Sequence, residues 1–139
     1  MATTLRDVMT AEPLCLSPDA TVAEAARMMR DSDVGDVIVA DGATITGIVT
    51  DRDIVVRAIA QQGDPSQMTV REIASTDLVT LAPDDSIDRA VEVMRQRALR
   101  RLPVVEGGRP VGVVSIGDLA MERDEQSALA DISAAPGNT

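Results

Sequence analysis

Two short segments of the chain place a carboxylate three residues after a hydroxyl side chain. They are residues 47–53 (GIVTDRD) and residues 112–118 (GVVSIGD). In a structural interpretation, the hydroxyls of Thr50 and Ser115 cap backbone amides at a helix start, and Asp53 and Asp118 lie favourably in the first helical turn. In a functional interpretation, the helix start and the hydroxyl face a phosphate, and the carboxylate accepts hydrogen bonds from both hydroxyls of a ribose.

Apolar strands near these segments offer a place for a flat base. We expect the backbone around Val37 and Val39, and around Pro103 and Val104, to close over such a ring. Because the chain contains no Phe, Tyr or Trp, the ring would be held by aliphatic groups and not by aromatic stacking.

The residues that the chain lacks limit its chemistry. Without His or Lys it has no serine–histidine triad, no Schiff-base or phosphate-loop lysine and no imidazole metal ligand. Asp31, Asp33 and Asp36 resemble a metal cluster, but they fall where a helix ends, and the Gly and terminal Glu of a calcium loop are absent. We therefore expect no enzymatic activity, no required cofactor and no metal site.

Charge and cysteine content narrow the partners and the compartment. The formal net charge is −10, from 13 basic and 23 acidic residues. Such a chain lacks the basic face that nucleic acids and anionic membranes require. Cys15 is the single cysteine, so we expect a small buried apolar residue in a protein of the reducing cytoplasm.

The chain is an internal duplication with an offset of 65 residues, ungapped from position 4 to position 53. Matching residues include Leu16, Pro18 and Asp19, which recur as Leu81, Pro83 and Asp84. A match of this length indicates two copies of one structural unit.

Each copy predicts the element order βαββα. Apolar residues at 14–16 and 78–81 predict short first strands, and apolar positions at i, i+3, i+4 and i+7 predict amphipathic helices after them. Glycine turns then join hairpin strands, and the last helices begin near Asp51 and Ile116. The predicted fold is mixed α/β (of the α+β type), with two repeats packed through their small sheets about a pseudo-twofold axis and with equivalent clefts between them.

The predicted boundaries follow the order of the sequence. The first repeat spans residues 1–60 and the second spans residues 69–124. A linker at residues 61–68 is rich in Gly, Asp, Pro and Ser, and a C-terminal tail at residues 125–139 is expected to be partly disordered.

The duplicated pattern resembles a tandem pair of cystathionine-β-synthase (CBS) domains. The resemblance rests on the strand Leu102-Pro103-Val104 and on the two G-h-h-[ST]-x-x-D junctions, and it covers about residues 5–124. It implies a disc-like module that often dimerises through its helices and often binds AMP, ADP, ATP or S-adenosylmethionine between its repeats.

The resemblance also implies roles for the junction residues. Asp53 and Asp118 would hold ribose, and Thr50 and Ser115 would face phosphate. The first repeat departs from the pattern at Ile38, where the family commonly has proline, so the two clefts are expected to differ.

Arginines distinguish the second repeat from the first. Residues 89–109 contain six arginines, whereas the aligned residues 24–44 contain two. Arg100 and Arg101 begin the strand near the predicted cleft, where their guanidinium groups either meet phosphate oxygens or belong to a solvated helix face.

Two functional hypotheses follow. In one, the chain senses an adenosine ligand and acts on a separate, unidentified protein target. In the other, it is a ligand-free scaffold or stress-related interaction protein with vestigial clefts. A homodimer is predicted in either case, because Ile54, Ala58 and Ile59 would leave an apolar helix edge uncovered.

Overall fold

The structure, a computed structural model, describes residues 3–123. Its helices and strands in chain order are α1 (Leu5–Val8), β1 (Thr10–Ala11), β2 (Cys15–Leu16), α2 (Val22–Ser32), β3 (Asp36–Asp41), β4 (Thr44–Thr50), α3 (Asp51–Asp53), α4 (Ile87–Arg97), β5 (Arg101–Glu106), β6 (Arg109–Ser115) and α5 (Ile116–Arg123). A π-helical segment (Ile54–Ile59) continues α3, and a 3₁₀ turn (Val70–Glu72) lies at the start of the second repeat. The predicted mixed α/β fold with two small sheets is confirmed, and the predicted tail at 125–139 lies outside the described residues.

The described residues form two compact units. The first-repeat unit contains residues 13–78, and the second-repeat unit contains residues 3–12 together with residues 79–123. These units do not coincide with the two repeats, because the first residues of each repeat pack on the other repeat.

We call these first residues of the repeats the lead-in segments (residues 4–11 and 69–76). The first of them forms β1, which pairs antiparallel with β6 of the second repeat. The other crosses β4 of the first repeat, where Ser75 and Ile48 exchange backbone hydrogen bonds of 2.9 and 3.2 Å. The same exchange in both units follows the offset of the duplication.

The sheet of the first-repeat unit has the strand order β2-β3-β4. β2 runs parallel to β3, and β3 and β4 form an antiparallel hairpin. Alternate residues of the sheet face α2 and bury the apolar stripe of that helix. The buried core consists of Val22, Ala25, Met29, Val37, Val39, Val49, Ala58, Val70 and Ile73.

The sheet of the second-repeat unit has the order β1-β6-β5, with α4 and α5 against its core. The buried core consists of Leu5, Leu81, Ile87, Ala90, Val93, Met94, Leu102, Val104, Val114 and Leu119. Both hairpins have an irregular register at equivalent places, between Val39 and Ala40 and between Val104 and Val105.

The strand predicted at residues 78–81 is wrong, because only Leu81 pairs there. Its N–H donates to Pro103 O at 3.1 Å, and its carbonyl accepts from Val105 N–H at 2.8 Å. In the first repeat, Ile38 N–H donates to Leu14 O at 2.8 Å. Pro103 occupies the position of Ile38 and has no N–H, so this bond cannot form and the ladder is shorter.

The two long helices begin and end in equivalent ways. Thr21 Oγ1 accepts from Glu24 N–H at 3.1 Å, and Ser86 Oγ accepts from Arg89 N–H at 3.0 Å. Both helices end in a left-handed residue, at Asp33 and Ala98. At eleven residues each, α2 and α4 are well short of a membrane span, and no helix within residues 3–123 has the length and apolar character to cross a bilayer.

Cys15 is exposed, which contradicts the predicted burial. The side chains of Leu14 and Leu16 pack against the core of the first-repeat unit, so Cys15 between them points to the opposite face of the sheet. Its thiol lies 3.5 Å from Pro13 O, and partial burial raises the pKa of Cys15 above its usual value.

Candidate ligand-binding site

The junction of the first repeat lies where β4 runs into α3. Thr50 has extended backbone (φ −109°, ψ 163°) and is the N-cap residue of α3. Its Oγ1 accepts from Asp53 N–H at 3.1 Å, and its own N–H donates to Asp53 Oδ2 at 2.9 Å. This reciprocal pair satisfies two backbone amides at the helix start, which is the structural role that the sequence allows.

The junction of the second repeat, between β6 and α5, has the same geometry. Asp118 N–H donates to Ser115 Oγ at 3.1 Å, and Ser115 N–H donates to Asp118 Oδ2 at 2.8 Å. In both junctions the carboxylate oxygen Oδ1 takes no part in the reciprocal pair. Capping therefore engages one oxygen of each carboxylate and leaves the other for a further partner.

The surroundings of that second oxygen differ between the junctions. Asp53 is only 9% exposed, and its Oδ1 lies 3.8 Å from Arg57 Nε. Asp118 is half-buried, and the residue four positions later is the acid Glu122. Within residues 3–123, Asp118 Oδ1 has no hydrogen-bond or ion-pair partner.

The next backbone amide of each helix start also differs. Arg52 N–H donates to Asp51 Oδ1 at 2.8 Å. At the equivalent position of α5, Ile116 has no side-chain acceptor, and Gly117 N–H has no acceptor in the described part of the chain. The second junction therefore keeps one helix-start amide available for an anion.

The residues opposite the two hydroxyls have opposite charge. Asp36 is the cross-strand partner of Thr50, and Arg101 is the cross-strand partner of Ser115. Both charged residues are half-buried. The two hydroxyls therefore have neighbours of opposite charge across their hairpins.

Arg100 lies next to the same junction. Its side chain is exposed, and its carbonyl accepts a hydrogen bond from Ile116 N–H at 2.8 Å. The structure thus brings Arg100 and Arg101 to the start of β5, beside the end of β6 where Ser115 lies.

The apolar residues that were predicted to close over a base do not all lie on the same face of their sheets. Val37, Val39 and Val104 are at most 2% exposed, and their side chains pack in the cores of their units. Pro103 is buried on the opposite face, paired with Val113. The valines could therefore meet a ligand only through their backbone, whereas Pro103 and Val113 have side chains on the face away from the helices.

Sequence reasoning missed Arg57. Its Nη1 donates to Ile73 O at 3.0 Å and lies 3.5 Å from Ser75 Oγ, so it joins Asp53 to the lead-in segment at residues 69–76. The available signal was its position four residues after Asp53, where side chains on one helix face meet.

The acidic residues near the end of α2 have separate surroundings. Asp31 Oδ1 accepts a hydrogen bond from Arg30 Nε at 2.8 Å, and this bond lowers the pKa of Asp31. Asp33 ends α2, and Asp36 begins β3. No group of three or more His, Cys, Asp or Glu within residues 3–123 is arranged to hold a metal ion.

The apolar edge predicted at Ile54, Ala58 and Ile59 is correct only for Ile59, which is 54% exposed. Ile54 and Ala58 lie four residues apart and pack against the core of the first-repeat unit. The exposed apolar residues beside Ile59 are Val55 and Val56.

The second-repeat unit has an apolar groove between α4 and α5, with a cavity of about 310 Å³. It is lined by Val91, Met94, Arg95, Leu99, Ile116, Leu119 and Ala120. Ile116 is 56% exposed at this groove.

Comparisons with known proteins identify the family. The CBS domain matches the chain twice, at residues 5–59 and 70–125. The CBS domain-containing protein YhcV of Bacillus subtilis (strain 168) is 39% identical over 133 residues, which cover 93% of this chain and 94% of that protein.

Two solved structures are also similar. A crystal structure of Hypoxic Response Protein I with two coordinated zinc ions is 35% identical, with a TM-score of 0.76 over 86% of this chain and 98% of that chain. The CBS domain pair of protein MJ0100, in complex with 5′-methylthioadenosine and S-adenosyl-L-methionine, has a TM-score of 0.81 over 91% of this chain and 100% of that chain. At 23% identity the latter shows the fold alone. Because the family match spans both repeats, this chain belongs to the CBS domain family.

Proposed function

We propose that the chain is a non-catalytic regulatory module that binds an adenosine-containing ligand and acts on a separate protein in the cytoplasm. Candidate ligands are AMP, ADP, ATP and S-adenosylmethionine, bound in the clefts that the sequence predicts between the repeats. The observation that carries the proposal is the second junction, where Asp118 Oδ1, the Ser115 hydroxyl and Gly117 N–H lie within four residues.

These groups match the chemistry of a ribose phosphate. A carboxylate oxygen without a protein partner accepts charge-assisted hydrogen bonds from ribose hydroxyls. The helix-start amide, the hydroxyl and the nearby Arg101 suit phosphate oxygens. The base would contact aliphatic residues such as Pro103, since the chain has no aromatic side chain.

A regulatory role fits the side chains that are present. His and Cys are the residues that most often bind zinc, and this chain contains no His and a single Cys. We therefore expect no zinc site like that of Hypoxic Response Protein I. A ligand that binds only the folded protein changes its stability, and by the same linkage it can change its affinity for a partner.

Thermal unfolding with AMP, ADP, ATP and S-adenosylmethionine tests the proposal. A ligand at a hundredfold excess over its Kd should stabilise the fold by about 2.7 kcal/mol and raise the Tm by several degrees. The control ligands are 2′-deoxy-AMP, which lacks one ribose hydroxyl, and inorganic phosphate; both should stabilise less than AMP. If no adenosine compound raises the Tm, the proposal is wrong and the scaffold hypothesis is favoured.

A homodimer is part of the proposal. Val55, Val56 and Ile59 expose apolar surface on the first-repeat unit, and Ile116 does so on the second-repeat unit. Exposed apolar residues of this size are typical of protein interfaces.

Sedimentation of two charge-introducing variants tests the dimer. Ile59→Asp and Ile116→Asp should give monomers of 14.6 kDa, whereas Val34→Asp, at another exposed apolar residue, should leave the dimer intact. A wild-type chain that sediments as a monomer at micromolar concentration would contradict the dimer.

A further inference from the structure

Arg57 connects three parts of the first-repeat unit. It lies in the π-helical segment Ile54–Ile59, and its guanidinium faces Asp53 Oδ1 at 3.8 Å (Nε). On its other side, Nη1 donates to Ile73 O at 3.0 Å and lies 3.5 Å from Ser75 Oγ. One side chain thus joins the carboxylate of the junction to the lead-in segment.

Backbone hydrogen bonds hold the lead-in segment at residues 69–76 in place beside Arg57. Ser75 exchanges two backbone hydrogen bonds with Ile48, two residues before Thr50. Gly47 allows the close approach, since a Cβ there would lie 3.1 Å from Ser75 O. Because Ser75 and Ile73 are fixed against β4, they hold the Arg57 guanidinium beside Asp53.

Each carboxylate oxygen of Asp53 therefore lies beside another group of the protein. Oδ2 accepts from Thr50 N–H at 2.9 Å, and Oδ1 faces Arg57. The Asp53 side chain is only 12% exposed. A ribose needs an accessible acceptor, so this junction is closed to it while Arg57 stays in place.

Among residues 3–123, no such contact is made at the second junction. Glu122 occupies the position of Arg57 and cannot donate to Asp118, and Val8 occupies the position of Ile73. Like charges at i and i+4 repel, so Glu122 does not cover the carboxylate as Arg57 does.

We propose that Arg57 is a latch: it keeps Asp53 closed to ligand, so the ribose of an adenosine ligand binds at Asp118, and removing the latch opens a second site at Asp53. The inference rests on the proposed function and specifies which of its two junctions is used. Arg57 acts through Asp53 and is a positioning residue, not a ligand contact.

Calorimetry with AMP tests the latch through stoichiometry. The wild type should bind one AMP per chain, and Asp118→Ala should weaken that binding by roughly ten- to a hundredfold, as expected for the loss of charge-assisted hydrogen bonds. Arg57→Gln should add a second AMP per chain, and Asp53→Ala in the same chain should remove it.

A matched control is Arg71→Gln. Arg71 lies on the same lead-in segment as Ile73 and Ser75, and this variant breaks its exposed ion pair with Asp19. It should leave the stoichiometry at one. A purely structural role for Arg57 would lower the Tm in Arg57→Gln without a second site, and that outcome overturns the latch. Two equal sites in the wild type, or binding that depends on Asp53 and not on Asp118, overturns it as well.

Amide hydrogen exchange, measured without ligand, distinguishes a failure of the latch proposal from a failure of the proposed function. Arg57→Gln, or Arg57→Lys if the first variant folds poorly, should exchange the Thr50 amide at least severalfold faster than Arg71→Gln does, because Arg57 no longer holds Asp53, the acceptor of that amide. Unchanged exchange overturns the latch, even where AMP binds. If AMP binds to no variant while Thr50 exchange rises, the contact between Arg57 and Asp53 exists, but the proposed function and the ligand assignment fail together.

Discussion

At the first junction, Asp53 is buried beside Arg57, and Asp36 is the cross-strand partner of Thr50. At the second, the Asp118 carboxylate is half-buried, and Arg101 is the cross-strand partner of Ser115. The hydrogen bonds within each junction agree to within 0.1 Å, with N–H···O distances of 3.1 and 2.9 Å in one and 3.1 and 2.8 Å in the other.

The two junctions share their local geometry but differ in their chemical environment. A hydroxyl and an acid three residues apart suffice for the reciprocal capping pair, so both repeats keep it. The groups beside the other carboxylate oxygen come from other turns and strands, and these differ between the repeats. A duplicated motif can therefore retain its backbone geometry while the chemical surroundings of its two copies differ.

The largest effect is expected from filling the glycines at which the lead-in segments cross the hairpins. A Cβ at Gly47 would lie 3.1 Å from Ser75 O and 3.2 Å from Ala74 Cβ, neither of which can turn away. Gly47→Ala should therefore cost about 1–3 kcal/mol of unfolding free energy, measured by urea denaturation.

Gly112→Ala is the matched variant in the other unit. A Cβ there would meet the flexible Met9 side chain at 2.5 Å and Thr10 O at 3.0 Å. We expect a loss of similar size to that of Gly47→Ala, since Met9 can change rotamer but the Thr10 carbonyl, like that of Ser75, cannot turn away. Equal stability of Gly47→Ala and the wild type would show that the lead-in segment does not pack tightly on β4.

The two aspartates should differ in their contribution to stability. Asp53→Ala removes a buried acceptor and leaves both Thr50 N–H and Arg57 without it, so we expect a loss of about 1–3 kcal/mol. Asp118→Ala removes only the capping bond of a half-buried residue and should cost about 1 kcal/mol. Asp41→Ala, at the exposed end of β3, is the control, and a larger loss for Asp118→Ala than for Asp53→Ala would contradict this prediction.

The C-terminal residues of the two long helices allow a gain in stability. Ala98 has φ 55° and Asp33 has φ 53°, both in the left-handed region. Glycine adopts this conformation without steric cost, and Asp tolerates it better than Ala. Ala98→Gly should raise the unfolding free energy by about 0.5–1 kcal/mol and Asp33→Gly by less, as measured by thermal unfolding; destabilisation by Ala98→Gly would contradict this.

Cys15 should show the smallest effect, in its rate of alkylation. The offset places Thr80 at its position in the second repeat, so only the first strand of the first repeat carries a thiol. Partial burial raises the pKa of Cys15, so a smaller fraction is thiolate near pH 8 than in an unstructured peptide. Iodoacetamide should therefore react more slowly with Cys15 than with the single cysteine of a short, unstructured peptide at pH 8, with the rate still rising at higher pH; faster reaction would contradict the direction of the shift.

Much of each repeat could be predicted from local sequence. The helices at Val22–Ser32 and Ile87–Arg97 follow from a hydroxyl cap and an apolar stripe, and both hairpins follow from β-branched residues around glycine turns. The junction residues were found for the same reason, because a cap and its acid lie within one turn. Interactions over three or four residues depend little on the rest of the chain.

Tertiary structure alone decided which surroundings these residues have. Each lead-in segment packs on the repeat to which it does not belong, and no local sequence pattern encodes this choice. The burial of Ala58, the exposure of Cys15 and the single paired residue at Leu81 each depend on which strand or helix lies beside them. The sequence determined two equivalent capped junctions, and long-range packing placed Arg57 against Asp53 at only one of them, because contacts between distant segments depend on the whole fold.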